Sequence, residues 1–333
     1  MVYVYKKTIG GKHYYYLRAS IRKKGRVIVK DIAYLGNSLE EVKRRLENLP
    51  KYAVQIRKAY RTINTFLESN HYCEKVQGLK PKNDEFLQEK LLDVEAAKLH
   101  FNTKFQNKNE TTKNEIFKNF SVEFAFNTTS IEGNTIKLNE ARNLLEEGLT
   151  PLNKTLREIY DVQNTEKVFL WLVESIEQAS INNDFIVKIH KGLMENIDVR
   201  TGYRTEDVRV FRSNFDSTPA PYVKTDMNLL LEWLDKNDGL HPLVKATAFH
   251  HKLEKIHPFM DGNGRTGRML LNAILMKEGY PPLIILKKSR IQYLEALRKA
   301  DKGNIWETKE EFYNELVKFT ADEMIESYWN IFL

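Results

Sequence analysis

The chain of 333 residues contains a single cysteine, Cys73, and no long apolar stretch. One cysteine excludes an intramolecular disulfide, which fits a reducing cytosol better than a secreted scaffold. The N-terminus has no charged segment followed by an apolar core, so the sequence predicts no signal peptide. No run approaches the ~20 apolar residues that a transmembrane helix needs. These absences predict a soluble, cytoplasmic protein that does not associate with membranes.

Charge is distributed unevenly along the chain. Residues 1–60 contain 15 Lys and Arg against 4 Asp and Glu, a net charge of +11, whereas the whole chain carries +7. In this basic part, alternating patterns predict strands at 2–8, 14–21 and 26–34, the first two joined across Gly10-Gly11. Basic strands interleaved with tyrosines can stack on nucleic acid and neutralise it. The alternative interpretation is the solvated face of a small sheet.

Helical periodicity dominates the rest of the chain. Ser38-Leu39-Glu40-Glu41 resembles a capping box that opens a helix, and helical patterns follow at 52–67, 84–105 and 309–331. The predicted fold class is mainly α, a helical core preceded by a helical segment and a small N-terminal antiparallel β-module. The predicted domains are the basic three-stranded module at 1–37, a helical linker at 38–112, the core domain at 113–300 and a helical extension at 301–333.

One twelve-residue segment at 257–268, HPFMDGNGRTGR, combines a histidine, an aspartate, two arginines and a glycine-rich turn ahead of a predicted helix. Gly262 and Gly264 flank Asn263, so the backbone can adopt left-handed angles that other residues resist. Successive turn amides would then form an anion-binding nest. Because the nest lies at a helix N-terminus, free amides and the helix dipole both favour phosphate.

The side chains of this segment add chemistry to the turn. Arg265 and Arg268 are three residues apart, so they share a helical face and can hold phosphate oxygens as forks. Asp261 can bind a divalent cation that bridges those oxygens, since Mg²⁺ commonly uses one or two carboxylates plus phosphates. His257, neutral near physiological pH, can take a proton from an incoming hydroxyl. Together these residues predict nucleotide-dependent group transfer.

The segment resembles the motif of the Fic family, HPFx(D/E)GN(G/K)RxxR, at every defined position. The resemblance implies a Fic-type helical core with a β-hairpin flap. It implies a protein adenylyltransferase that uses ATP and Mg²⁺ to move AMP to a Ser, Thr or Tyr hydroxyl of a target protein or of itself. His257 is then the general base, Asp261 the Mg²⁺ ligand, and the turn around Asn263 holds the phosphates. Gly264 favours AMP transfer, because the phosphorylating Doc branch usually carries Lys there. Transfer of another phosphate-linked group stays open, since the family includes members that use other donors.

A second stretch resembles the family's inhibitory signature, (S/T)xxxE(G/N), with Thr128, Glu132 and Gly133 at its defined positions. The resemblance implies an inhibitory helix at about 120–133 whose glutamate pairs with Arg268 and competes with the γ-phosphate of ATP. An ordinary helix C-terminus at Glu132-Gly133 is the alternative. The resemblance also leaves open that Glu132 helps a water molecule to remove AMP from the modified target.

Less specific features lie between and after the two motifs. Gly202-Tyr203-Arg204 and Val208-Arg209-Val210 resemble the strand that enters the family's flap, which holds the target's hydroxyl segment by strand addition. Residues 211–222 would form this flap, and an ordinary surface hairpin is the alternative. The further nucleotide-binding residues that the resemblance implies are Val210, Phe211, Arg212 and Ser213 in the flap, and Tyr293 and Asp301 in an adenine pocket.

Histidines cluster near the first motif, at positions 241, 250 and 251. No HExxH spacing accompanies them and no thiolate pair is available, so packed histidines are favoured over a zinc site. A different class of function also stays open, a nucleic-acid-binding regulator that uses residues 1–60 and whose Fic site modifies only itself or senses nucleotide. The sequence does not identify the target protein or the oligomeric state, and a homodimer is among the alternatives.

Overall fold

The computed structural model describes the chain except Met1, Lys24, Gly25, the side chain of Lys23 and residues 209–216. The chain divides into two compact units, Met1–Pro81 and Lys82–Leu333. This division falls inside the predicted linker at 38–112, while the predicted extension at 301–333 lies within the second unit. The domain boundaries drawn from the sequence stay predictions. Across the described residues, no helix is both long and apolar enough to cross a membrane.

The first unit is a three-stranded antiparallel sheet with helices on one face. Its strands run in the order β1-β2-β3 and are β1 (Val2–Ile9), β2 (Lys12–Lys23) and β3 (Arg26–Gly36). The predicted meander is confirmed. Gly10 and Gly11 form the turn between β1 and β2 with φ angles of +56° and +76°, which glycine adopts without steric strain. The helices of this unit are α1 (Leu39–Glu47), α2 (Ala53–Lys58) and α3 (Tyr60–Leu79).

Alternation along the strands places one face of the sheet in a core. The buried strand residues and the helix residues that pack on them are Val2, Val4, Tyr15, Leu17, Leu35, Leu39, Val42, Ala59, Ile63 and Leu67. Ser38 begins α1 as predicted, since its hydroxyl accepts a hydrogen bond from the Glu41 N–H at 3.3 Å. The carboxylate of Glu41 accepts from the Asn37 N–H, so the reciprocal bond of a capping box is displaced by one residue.

The second unit is helical, which confirms the mainly α fold class. Its helices are α4 (Leu91–His100), α5 (Glu110–Ile131), α6 (Leu138–Glu147), α7 (Leu156–Ser175), α8 (Asn183–Leu193), α9 (Val223–Lys236), α10 (Pro242–Ile256), α11 (Asn263–Lys277), α12 (Arg290–Ala300) and α13 (Glu310–Ile331). A single π-helical turn, Phe101–Phe105, continues α4. Helices α10 and α11 form the centre, because almost every residue of both is buried. The twelve-residue motif connects the end of α10 to the start of α11.

Aromatic packing fixes α5, the helix that carries Thr128 and ends just before Glu132. The ring of Phe120 lies 4.9 Å from that of Phe169 on α7 and 5.5 Å from that of Phe332 beyond α13, measured between centroids. Phe124, one turn further along α5, lies 5.3 Å from Phe169. Offset and tilted aromatic pairs of this kind stabilise beyond the area that they bury. The C-terminal end of α5 is therefore held against the centre of the unit.

The predicted entry to the flap is irregular where it is described. The segment from Gly202 to Val208 forms no strand, so the strand predicted at Gly202-Tyr203-Arg204 is wrong. After Pro219 the chain makes one 3₁₀ turn, Ala220–Tyr222, and enters α9. The predicted flap residues Val210, Phe211, Arg212 and Ser213 lie outside the described residues.

Gly267 allows the close approach of α11 to α10. A Cβ at this position would lie 2.5 Å from Nδ1 of His250, which is buried. We expect Gly267→Ala to lower the free energy of unfolding by roughly 1–2 kcal/mol, since over-packing outweighs the gain in helix propensity. Gly239→Ala is the matched control, because a Cβ there meets nothing within 4 Å. Denaturant unfolding of both variants measures the difference, and equal stabilities would contradict this packing.

Candidate active site

A cavity of about 890 Å³ lies beside the N-terminus of α11, a size that suits a small-molecule ligand. The predicted site residues that line it are Glu132, Gly133, His257, Asp261, Gly262, Asn263, Gly264, Arg265, Arg268, Tyr293 and Asp301. Thr128 is buried and contacts Arg268. Two sequence motifs that lie far apart along the chain thus meet at one site.

The loop between α10 and α11 is closed by its own asparagine. Oδ1 of Asn263 accepts from the Phe259 N–H at 2.9 Å, and its Nδ2 donates to the Phe259 carbonyl at 2.8 Å. Gly262 has a φ of +76°, as predicted, and is the N-cap of α11. Gly264, by contrast, is an ordinary helical residue. Asn263 thus shapes the turn through its side chain, and the first amides of α11 face the cavity without intrahelical partners, where they favour an anion.

His257 follows the last residue of α10 with a φ of +54°. Its Nδ1 lies 3.2 Å from the carbonyl oxygen of Glu254, so Nδ1–H donates there and Nε2 is the free basic atom. Burial lowers the pKa of His257 below its ordinary value, which keeps the ring neutral at neutral pH. The buried Arg204 binds the backbone of the loop at this residue. Its Nε donates to the His257 carbonyl at 2.8 Å, and its backbone N–H donates to the Pro258 carbonyl at 2.9 Å. The arrangement suits a proton acceptor.

The guanidinium of Arg268 is bound by the end of α5. Its Nε donates to the Thr128 hydroxyl at 2.7 Å, and its Nη2 donates to the Thr128 carbonyl at 3.1 Å and to the Glu132 carboxylate at 2.6 Å. Charge-assisted bonds of this length are stronger than neutral ones. The pairing that the resemblance implied is therefore present. The helix-end interpretation also holds, because α5 ends at Ile131 and Gly133 has a φ of +106°.

Gly264 has a steric role that the sequence did not indicate. A Cβ at this position would collide with the Glu132 carboxylate and would lie 3.1 Å from Nη1 of Arg268. Any larger residue here would displace the Glu132 carboxylate from its present position beside Arg268. The identity of residue 264 is thus coupled to the presence of the glutamate on α5.

Helix α7 supplies charges to the other side of the loop. Asp161 accepts a hydrogen bond from Arg265, and Arg157, one turn earlier, forms an ion pair with Asp261. Burial opposes ionisation of Asp261, but the hydrogen bond and charge of Arg157, the charge of Arg265 and the hydrogen bond from the Gly262 N–H together outweigh it and lower the pKa of this carboxyl. The two motif arginines are therefore held by carboxylates from two different helices, Asp161 for Arg265 and Glu132 for Arg268.

Asp261 fits a cation that completes its coordination with other ligands. Its side chain is about one-third exposed at the cavity, and one carboxylate oxygen accepts from the Gly262 N–H at 2.6 Å. Within the described part of the chain, no group of three or more His, Cys, Asp or Glu residues is arranged to hold a metal ion. One carboxylate beside an anion site fits Mg²⁺, which retains waters and takes phosphate oxygens as ligands.

The predicted adenine-pocket residues lie on and just after α12. Both contact histidines of α10, because the Tyr293 hydroxyl lies 2.5 Å from Nε2 of His250 and a carboxylate oxygen of Asp301 lies 3.0 Å from Nε2 of His251. His250 and His251 are buried, so they are packed histidines with tyrosine and aspartate partners. The assignment of an adenine pocket to this wall stays a prediction.

Sequence reasoning missed a second layer of side chains around the loop. His190 on α8 stacks on Phe259 with ring centroids 3.7 Å apart, and its Nε2 lies 3.0 Å from the Asp261 carbonyl. Burial lowers the pKa of His190 to about 4, so this ring is neutral and donates to the carbonyl. No spacing rule connects His190, Asp161 or Arg204 to the motif, because each reaches it only through tertiary packing.

Residues 180–275 match the Fic/DOC family. This segment of the chain is similar to Fic/DOC proteins. The second unit of the chain supplies the helices of the matched region, from the start of α8 almost to the end of α11. The matched segment includes His257, Arg268 and all the residues between them.

Curated relatives and solved structures are also similar to this chain. Protein adenylyltransferase fic-1 of Caenorhabditis elegans is 33% identical over 187 residues, 55% of this chain and 37% of the relative. Protein adenylyltransferase Fic of Nematostella vectensis is 36% identical over 185 residues, 54% of this chain and 43% of the relative. The chain thus spans less than half the length of these relatives. A solved structure of Fic-1 from C. elegans is 28% identical with a TM-score of 0.62 and covers 73% of this chain and 71% of that one. A Fic-domain signalling protein from Bacteroides thetaiotaomicron shares the fold, with a TM-score of 0.64 and 21% identity. The match covers 71% of this chain and 94% of that one.

Glu254 predicts a pH dependence of stability. Burial raises the pKa of its carboxyl to about 8, although the positive charge of Arg268 opposes this. Among the described residues its Oε1 has no hydrogen-bond partner. A carboxyl whose folded pKa exceeds its unfolded value contributes stability that is present below the unfolded pKa and is lost as the pH rises through the folded one.

We therefore expect the Tm of the wild type to fall between about pH 5 and about pH 8, and that of Glu254→Gln to fall less, because glutamine does not ionise. Thermal unfolding across this range measures both. Glu115→Gln, at an exposed position of α5, should follow the wild type. Parallel curves for the wild type and Glu254→Gln would show that this carboxyl is ionised in the folded protein.

Proposed function

We propose that the chain is a protein adenylyltransferase that transfers AMP from ATP to a hydroxyl of a protein, itself included. The observation that carries the proposal is the neutral His257 beside the N-terminus of α11 on one cavity wall. The curated relatives, which match more than half of this chain, are named protein adenylyltransferases, and this supports the same activity.

The reaction uses residues of the loop and of α11. The phosphates of ATP bind at the first amides of α11, where Gly262 lets the backbone approach them. Nε2 of His257 takes the proton of the target hydroxyl, while the oxygen of that hydroxyl bonds to the α-phosphorus. The bond between that phosphorus and the oxygen leading to the β-phosphate breaks, and pyrophosphate leaves. Asp261 would hold Mg²⁺, which when bound neutralises charge on the phosphates.

The proposal includes autoinhibition. Arg268 is the arginine of the motif closest in space to Glu132, and the carboxylate occupies Nη2 of its guanidinium. A γ-phosphate would need the same donor, so one anion excludes the other. With Glu132 in place, ATP lies in a pose unsuited to attack on the α-phosphorus.

The same carboxylate supports a second direction of the reaction. The side chain of Glu132 is about half exposed and lines the cavity, so it is within the site to orient a water molecule toward a modified hydroxyl. Removal of AMP from the target is therefore part of the proposal. The alternative function, a nucleic-acid-binding regulator, depends on residues 1–60 and not on this cavity.

Glu132→Gly tests the autoinhibition. We expect incorporation of label from α-³²P-ATP with Mg²⁺ to rise roughly tenfold or more, since a charged hydrogen bond is removed from Arg268. Glu115→Gly, the same substitution at an exposed position of α5, should behave as the wild type. His257→Ala in the Glu132→Gly background should abolish incorporation. Equal labelling of the two glycine variants would exclude inhibition by Glu132, and label from γ-³²P-ATP would indicate phosphate transfer instead.

The ion pair between Arg157 and Asp261 predicts weakened cation binding, because a metal ion must displace the guanidinium. We expect Arg157→Ala to raise the affinity for Mn²⁺ about two- to fivefold, the range for a half-exposed pair. Mn²⁺ binding is followed by electron paramagnetic resonance in the absence of nucleotide. Lys236→Ala, which removes an exposed ion pair with Glu232, is the control. An unchanged affinity in Arg157→Ala would mean that Asp261 is not the cation ligand.

A further inference from the structure

The face of the sheet opposite its core presents tyrosines. On β1 and β2 the side chains at alternate positions are buried, so Tyr3, Tyr5, Tyr14 and Tyr16 belong to the other face. The pairing register joins them across the strands, since Tyr5 lies opposite Tyr16 and Tyr16 lies opposite Tyr34 of β3. These five residues are called the tyrosine face below. The rings of Tyr16 and Tyr34 are 5.4 Å apart between centroids.

Cationic side chains lie among these rings. Lys7 is exposed and pairs with Tyr14, and Arg18 pairs with Tyr3. The guanidinium of Arg18 lies 3.3 Å from the centroid of the Tyr5 ring. Asp31, the acidic residue of β3, is paired with Arg18 at 2.5 Å. The surrounding charge is strongly positive, because residues 1–60 carry +11.

A surface of this composition is better suited to binding nucleic acid than to contact with water alone. The outward face of an antiparallel sheet is commonly polar, and here aromatic rings from three strands lie beside Lys7 of β1 and Arg18 of β2. Aromatic rings stack on bases with little sequence preference, while lysines and arginines neutralise phosphates. Rings on an open sheet contact the faces of bases only when those bases are free of a duplex stack. The chemistry therefore favours single strands over duplexes.

We propose that the tyrosine face, together with Lys7 and Arg18, binds single-stranded nucleic acid. This activity is separate from the proposed AMP transfer, since it uses residues of Met1–Pro81 and none of those that line the cavity. The cavity residues all belong to Lys82–Leu333.

Fluorescence anisotropy of the full-length chain with labelled mixed-sequence oligonucleotides of about 20 nucleotides tests the proposal. The probes are single-stranded RNA, single-stranded DNA and a DNA duplex of the same length. We expect binding of the single strands that is weakened by salt, and weaker binding of the duplex. Tyr34→Ala should reduce the affinity for single strands roughly tenfold, whereas Tyr34→Phe, which keeps the ring, should bind as the wild type does.

Tyr60→Ala is the matched control, because this tyrosine is 66% exposed on α3 and Tyr34 is 42% exposed on the sheet. Lys7→Gln provides a second variant that leaves the rings intact, and it should lower the slope of log affinity against log salt by about 0.7. Far-UV circular dichroism checks that the variants are folded. If the Tyr34→Ala variant is unfolded, the proposal is tested by the slope of log affinity against log salt for Lys7→Gln.

Three outcomes would overturn the proposal: no single-strand binding at low salt, tighter binding of the duplex, or equal losses in Tyr34→Ala and Tyr60→Ala. Labelling from α-³²P-ATP by Glu132→Gly, with and without Tyr34→Ala, keeps the two activities distinguishable. We expect Tyr34→Ala to leave that labelling unchanged. Failure of nucleic-acid binding would thus leave the proposed transfer intact, and the reverse also holds.

Discussion

The hydrogen-bonded ion pair between Glu132 and Arg268 is the contact on which the arrangement of the site depends. Arg268 is buried on α11, and a buried guanidinium without partners would be strongly destabilising. The end of α5 supplies those partners through the hydroxyl and carbonyl of Thr128 and the carboxylate of Glu132. The positive charge of Arg268 at the cavity is therefore neutralised by the carboxylate of Glu132.

Several features that are distant in sequence serve this contact. The stacking of Phe120 on Phe169 fixes α5 against α7, and the missing side chain of Gly264 leaves the space that the carboxylate fills. Gly267 brings α11 close to α10, so that Arg268 and His257 border the same cavity. A change at any of these positions alters how α5 meets α11. The site is thus a product of helix packing as much as of its motif.

Local sequence rules predicted what local chemistry determines. Residue spacing predicted the three strands and their glycine turn, the capping of α1 by Ser38 and the helix after Gly262. Motif resemblance predicted the pairing of Glu132 with Arg268. Tertiary partners were not predictable, because nothing near Arg157, Asp161 or His190 in the sequence marks them as neighbours of the loop. The strand expected at Gly202-Tyr203-Arg204 is wrong for a related reason. Arg204 is turned inward, where its guanidinium donates to several backbone carbonyls, so this segment follows the loop that it supports and forms no ladder.

The most direct test of the account compares the binding of ATP and ADP by His257→Ala with their binding by His257→Ala/Glu132→Gly, using isothermal titration calorimetry with Mg²⁺. The His257→Ala background prevents turnover during the titration. If the carboxylate competes with the γ-phosphate for Arg268, removal of Glu132 should strengthen ATP binding roughly tenfold and ADP binding much less. Equal gains for both nucleotides, or no gain for ATP, would contradict the claim that one guanidinium serves two competing anions.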